Sequence, residues 1–179
     1  MEKKTIWDLQ RPSVEEFKQQ SKRPIAVVLD NIRSLNNVGS VFRSCDAMGV
    51  SRLCLCGITA VPPSPEIHKT ALGAEDSVEW EYYPTTLEAL DDLKCQGYII
   101  CTLEQVKEST PLHLFKAERG KKYAIVVGHE VNGVDPEVVN HSDVWLEIPQ
   151  EGTKHSLNVS VSLGMALWQV YSSMLLLKE

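Results

Sequence analysis

The chain lacks an unbroken apolar run of membrane length, a C-x-x-C pair and any surplus of basic residues. Each absence removes a class of protein. The longest apolar stretch, residues 157–177, is broken by Asn158, Ser160, Ser162, Gln169, Ser172 and Ser173, so it reads as a buried helix and not a membrane span. Residues 1–9 are charged and hold no apolar core, so no secretory leader is expected and the expected compartment is cytoplasmic. The five cysteines, at 45, 54, 56, 95 and 101, are odd in number and have no zinc-ligand spacing. They are expected to be small buried hydrophobes in a reducing cytosol, with no metal site. Internal repeats, low-complexity tracts and linkers are also missing, which leaves one domain in 179 residues.

The net charge of −6 argues at first sight against nucleic acid, because phosphate binders usually carry excess Lys and Arg. The charge is unevenly spread, however. Glu75, Asp76, Glu79, Glu81, Glu88, Asp91 and Asp92 form a block with no Lys or Arg among them, whereas residues 1–23 (Lys3, Lys4, Arg11, Lys18, Lys22, Arg23) and 116–122 lean basic. A fold acidic on one face and basic on another is compatible with this pattern.

The pattern of elements is that of an α/β protein. Residues 1–24 form an N-terminal helical extension, in which Ser13-Val14-Glu15-Glu16 is a capping box for a short helix ending before Pro24. Residues 25–29, Ile-Ala-Val-Val-Leu, are apolar without alternation, as suits a strand covered on both faces. A helix over 37–48 places Val38, Val41, Phe42, Cys45 and Met48 on one stripe, and an apolar run at 53–56 completes a βαβ unit. Pro62-Pro63-Ser64-Pro65 marks a loop before a short helix at 66–72. Thr85 and Glu88 cap a helix running to Gln96, with Gly97 as its stop. Strands are expected at 98–103, 123–127 and 144–148, a helix start at Asp135-Pro136, and a long closing helix. This alternation predicts a parallel sheet flanked by helices on both faces.

Three segments carry chemistry. In residues 31–43, Asn36, Gly39, Ser40 and Arg43 fall at i, i+3, i+4 and i+7 of a helix that follows a strand, opposite the apolar stripe. Ligands of open α/β sheets bind at that strand end, and a guanidinium there suits forked contact with phosphate; the plain alternative is a solvated helix face. In 127–136, Gly128 and Gly133 flank Glu130 directly after a strand, making either a one-carboxylate binding loop or an ordinary strand-to-helix turn. His129 in that loop is not expected to act on its own. In 148–160, Gly152-Thr153-Lys154 imitates the end of a phosphate-binding P-loop, but Glu147 stands where the earlier glycine belongs and no Ser or Thr follows the lysine. Ser156, Asn158 and Ser160 open an apolar helix, with Ser156 as its N-cap in the simplest case.

Taken in order, these segments resemble the three motifs of TrmH/SpoU-type RNA 2′-O-ribose methyltransferases of the SPOUT family. The motifs are an asparagine followed by glycine and arginine, a G-x-E-x-x-G loop (Gly128 to Gly133), and an I-P-x-x-G-x-x-x-S-L-N-V-S run (Ile148 to Ser160). The resemblance covers residues 25–177. It implies a SPOUT methyltransferase domain over 25–179 with a C-terminal trefoil knot, and a homodimer whose active site draws on both chains. The implied activity is S-adenosylmethionine-dependent 2′-O-methylation of structured RNA, with tRNA the first choice and rRNA the alternative.

By position, the resemblance implies Asn37, Arg43, Glu130, Ser156 and Asn158 as catalytic residues. Thr102, Gly128, Ile148 and Leu157 are the implied positions around the methyl donor, with no metal and no membrane. Two departures, Gln150 after Ile-Pro and His129 after Gly128, lie beside matched positions and bear on substrate choice. A non-catalytic RNA-binding protein of the same fold would not need Asn37, Arg43, Glu130, Ser156 and Asn158 together. A nicotinamide enzyme would need G-x-G-x-x-G where Asn37-Val38-Gly39-Ser40 stands.

Overall fold

The computed structural model of the chain describes residues 1–5 and 7–178. Its frame is a parallel sheet of β1 (Arg23–Asp30), β2 (Val50–Cys56), β3 (Trp80–Tyr83), β4 (Tyr98–Leu103), β5 (Thr110–Pro111), β6 (Lys122–Val127) and β7 (Val144–Glu147). Spatial order is β3-β2-β1-β6-β4-β7-β5, and every pairing is parallel. The helices are α1 (Val14–Gln19), α2 (Leu35–Met48), α3 (Pro65–Ala71), α4 (Ala74–Ser77), α5 (Thr86–Cys95), α6 (Pro136–Asn140) and α7 (Val159–Leu175).

The unbroken apolar run of β1 is explained by two cores. Ile25, Val27 and Leu29 face a layer built with Val38, Val41 and Phe42 of α2 and Leu163, Leu167 and Val170 of α7. Ala26 and Val28 face the opposite layer, with Leu90 and Leu93 of α5 and Val138 of α6. Burying each large aliphatic side chain contributes about 1.5–3 kcal/mol. The fully buried Phe42 is the costliest single truncation on the α2 stripe, about 3–5 kcal/mol on conversion to Ala. The five thiols are unpaired, and four of them are buried. Burial pushes Cys54 and Cys101 up to about 12, which leaves them inert as nucleophiles.

Topology positions the site. The chain lays down β1, β2 and β3 outward, starts β4 on the other side, reaches the far edge with β5, and then returns. It inserts β6 between β1 and β4, and β7 between β4 and β5. The carboxyl ends of β1, β6, β4 and β7 therefore stand in sequence, with the order reversing between β1 and β6. That reversal opens a crevice for loops and ligands.

Several elements differ from expectation. Helix α2 starts at Leu35, because the Ser34 hydroxyl accepts the Asn37 amide and caps it. Strand β1 begins at Arg23, so two residues of the expected extension already belong to the sheet. Strands β3 and β5 have no counterpart in the apolar pattern. The first is an edge strand, Trp-Glu-Tyr-Tyr, inside the acidic block, and the second is two residues ending in proline. The α1 capping box forms in full. At α5, Thr85 accepts the Glu88 amide, but its hydroxyl binds the Glu88 carboxylate instead of completing the reciprocal backbone bond. Helix α7 is capped by Asn158, not Ser156: the Asn158 Oδ1 accepts the amides of Ser160 and Val161.

Candidate active site

Four loops leave the carboxyl edge of the sheet, and buried polar latches hold them in register. Asp30, 2% exposed at the end of β1, accepts the Thr86 hydroxyl and the Asn31 amide through Oδ1 and the Asp135 backbone amide through Oδ2. One carboxylate thus ties the starts of α5 and α6 to β1. Glu104, just past β4, accepts the Val134 amide at 2.9 Å and the Gln105 amide through its other oxygen. Sequence reasoning missed both residues. Their one visible signal is an acid terminating an otherwise apolar strand.

The loop 128–134 closes tightly on itself. A Cβ on Gly128 would lie 2.3 Å from the Val134 nitrogen, and one on Gly133 (φ +72°) would lie 2.3 Å from the Glu104 carboxylate. At Gly128 the added atom would meet backbone, and at Gly133 the positive φ strains any residue with a side chain, so both positions favour glycine. His129 accepts the Val131 and Asn132 amides through Nδ1, bracing the loop from within.

This closure delivers Glu130 to the start of α2. Its Oε2 accepts the Arg33 amide at 3.0 Å, and its Oε1 accepts the Ser34 amide at 2.9 Å and the Asn37 Nδ2 at 3.0 Å. Burial pushes the Glu130 carboxyl up, but amides from Arg33, Ser34 and its own backbone, with the Asn37 side chain, outweigh it and hold the group below its ordinary value. Glu130 is therefore an anion at the N-terminus of a 14-residue helix, where the helix dipole favours negative charge. Asn37 passes the connection on, since its Oδ1 accepts the Asn158 Nδ2 at 3.1 Å. Residues separated by 93 and 121 positions thus form one line, Glu130–Asn37–Asn158, that ends at the cap of α7.

Beside this line lies a cavity of about 450 Å³. Its walls are the ends of β4 (103–105), β6 with its loop (127–134), β7 with its loop (146–148, 150, 155–157), and Val159 and Ser162 of α7. Three carboxylates, Glu104, Glu130 and Glu147, lie in that lining, and neither lysine nor arginine does. The cavity therefore favours a positively charged small molecule and disfavours phosphate. Gly128, Ile148, Ser156 and Leu157 all line it. Thr102 does not: it is fully buried, with its hydroxyl 2.5 Å from that of Ser142, one residue below the Leu103 and Glu104 walls. Ser156 makes no side-chain hydrogen bond among the described residues. No group of three or more His, Cys, Asp or Glu among the described residues is arranged to hold a metal, and no described helix is long and apolar enough to cross a membrane.

Arg43 stands apart from this cavity. It is exposed two turns along α2, and it lines grooves on the α3 and α7 side of that helix. Gly39 does not serve a ligand: a Cβ there would lie 2.1 Å from Thr70 Oγ1 and 2.3 Å from the Ile67 carbonyl, so its bare backbone lets α3 press against α2.

An acid-lined cavity at the switch point of a knitted-in parallel sheet, with the exposed Arg43 on the neighbouring helix, marks an α/β protein of the SPOUT fold class. The chain belongs to the SpoU rRNA Methylase family, whose model matches residues 24–168. It is 30% identical over 157 residues to the tRNA (guanosine(18)-2'-O)-methyltransferase of Aquifex aeolicus, covering 87% of this chain and 72% of that one. It is 31% identical over 147 residues to the 23S rRNA (guanosine-2'-O-)-methyltransferase RlmB of Neisseria meningitidis, covering 82% of this chain and 58% of the relative. Among solved structures, the Aquifex aeolicus TrmH/SpoU tRNA modifying enzyme superposes with a TM-score of 0.78 at 28% identity, over 89% of this chain and 80% of that one. An AdoMet-bound rRNA methyltransferase from Sinorhizobium meliloti shares the fold, with a TM-score of 0.77 at 22% identity over 86% of this chain and 58% of that one.

Proposed function

We propose that this chain is an S-adenosylmethionine-dependent 2′-O-ribose methyltransferase of structured RNA, acting on tRNA, with rRNA as the alternative. The observation that carries the proposal is the Glu130–Asn37–Asn158 line, which joins all three motif segments at the mouth of an acid-lined cavity. The Aquifex relative is named for tRNA and the Neisseria relative for rRNA, and both are 2′-O-methyltransferases of guanosine.

When bound, the donor supplies a methyl already activated on a sulfonium. The chain must hold it, align a ribose 2′-hydroxyl with it and ease loss of the hydroxyl proton. Glu104, Glu130 and Glu147 give the cavity the charge to favour a sulfonium, while Gly128, Ile148 and Leu157 furnish wall and backbone. Glu130 positions Asn37, and Asn37 with Asn158 and Ser156 orients the ribose. Arg43 clamps the phosphate next to the reacting ribose and lowers the cost of the developing alkoxide. A guanidinium, with its pKa above about 12, is a poor base, so a phosphate oxygen takes the proton, with a transiently neutral Arg43 as the other acceptor.

Arg43 is not among the lining residues of its own chain's cavity, which supports a homodimer in which it meets the donor of a second copy. An apolar stripe on α7, with Val161, Met165 and Trp168 exposed at 49%, 46% and 53%, supports the same reading because it calls for cover. The segment before β1 serves as the extension that meets RNA, and the sheet from Arg23 onward with its helices is the methyltransferase domain, cytoplasmic in location. The insertion of β6 and β7 between earlier strands supports a C-terminal trefoil knot.

Purified protein with methyl-labelled donor should place 2′-O-methyl groups in tRNA, read after nuclease digestion by mass spectrometry, with rRNA assayed in parallel. Donor binding without methylation of either RNA would replace the enzyme with a non-catalytic RNA-binding protein.

A further inference from the structure

The grooves beside Arg43 hold cations that donor binding does not use. One groove, of about 490 Å³, is lined by Ser40, Arg43, Ser44, Lys69 and Thr70 and floored by Gly164 and Leu167 of α7. A second, of about 720 Å³, continues from Arg43 beneath α1 as far as Arg11. The two share Arg43, Ala47 and Met48, so they form one track.

Most polar groups along the track are already engaged. Ser40 and Thr70 donate to the Asn36 carbonyl, and Ser44 donates to the Ser40 carbonyl. Lys22 stands 3.0 Å over the Phe17 ring and binds the Phe17 carbonyl, while Arg23 lies over the Tyr171 ring. Asp46, the one carboxylate in the lining, accepts the Ser77 hydroxyl at 2.6 Å. Among the described residues, the side chains of Arg11, Arg43 and Lys69 make neither a hydrogen bond nor an ion pair. The bare backbone of Gly39 lets α3 pack directly on α2, which sets the backbone of Lys69, next to Thr70, beside the groove of Arg43. No carboxylate lines the groove that Arg43 and Lys69 share, so an anion entering it would meet two cations that no protein group already neutralises.

We propose that Lys69 is a substrate-binding residue that holds an RNA backbone phosphate adjacent to the one on Arg43, with Arg11 marking where the strand leaves beneath α1. The assignment rests on the reading of the chain as an RNA methyltransferase. A phosphodiester fits because its charges repeat along the strand, as the free cations repeat along the track.

The test compares wild type with Lys69→Ala, Lys69→Glu and Lys69→Arg. Lys69 is exposed, so these variants should melt like wild type. Donor affinity by calorimetry should be unchanged. Affinity of Lys69→Ala for unmodified tRNA should fall about 3- to 10-fold near physiological salt, with the slope of log K against log salt reduced by about 0.7–0.9, as for one lost phosphate contact. Lys69→Glu should bind still more weakly, Lys69→Arg should recover most of the affinity, and kcat at saturating RNA should hold while KM rises. An unchanged salt slope and KM in both Lys69→Ala and Lys69→Glu, with wild type active, would overturn the Lys69 assignment alone. A wild type that methylates no RNA would overturn the parent reading and this one together.

Discussion

Replacing Glu130 by Gln keeps the shape of the side chain and removes its charge. The carboxylate accepts three hydrogen bonds, from Arg33, Ser34 and Asn37. An amide oxygen can keep two of them, and the new NH2 group must face a donor. Losing one charge-assisted bond costs about 1–2 kcal/mol once partial exposure is allowed for, and losing an anion at the α2 N-terminus adds about 0.5 kcal/mol. The sum, about 2 kcal/mol, corresponds to a Tm drop of about 4–8 °C for a chain of this size. Because the folded-state pKa of Glu130 is lowered, its contribution is fully present above the unfolded-state value and disappears as pH falls through the folded-state value. The Tm gap between wild type and Glu130→Gln should therefore be widest near neutrality and close on acidification below the usual carboxylate range. Other acids titrate in both proteins and cancel in the comparison. Scanning calorimetry of the pair from neutral pH downward measures this, and methyl transfer should fall more than about 10-fold as Asn37 loses its anchor. Equal melting at neutral pH, or a gap that persists into acid, would refute the account of Glu130 as the anionic tie between the loop and α2.

Arg43→Ala should keep donor affinity by calorimetry and lose most turnover in a labelled-methyl assay, while Arg43→Lys keeps partial activity; equal loss of binding and turnover would make Arg43 structural. Gly39→Ala must push α3 away from α2, given contacts of 2.1 and 2.3 Å at the added Cβ, and should cost about 2–3 kcal/mol in denaturant melts. Leu72 ends α3 in the left-handed region at φ 55° with its side chain 63% exposed, so Leu72→Gly should stabilise the chain by about 0.5–1 kcal/mol in the same melts.

Local patterns were legible where one short stretch sufficed to set the outcome. The capping box of α1 and the strand 98–103 stand as expected, because each depends on neighbours in sequence. The edge strand β3 was hidden inside the acidic block: an edge exposes one side, so its residues need no apolar run. On sequence alone Ser156, the first of the polar residues that open the last helix, is the expected cap. Asn158 holds that place in the structure, where its side-chain amide also reaches Asn37, 121 positions away.

The sequence by itself determined the alternation of strands and helices, the two-sided burial of β1, and three polar segments whose order points to one family. Tertiary structure alone decided that Glu130, Asn37 and Asn158 touch, that Thr102 sits below the cavity wall, that Gly39 serves a helix contact, and that Asp30 and Glu104 hold the loops. The reason is that strand insertion, which puts β6 beside β1 and β7 beside β4, is set by how the whole chain covers its sheet. Periodicity in a short window carries no record of which distant strand will lie alongside.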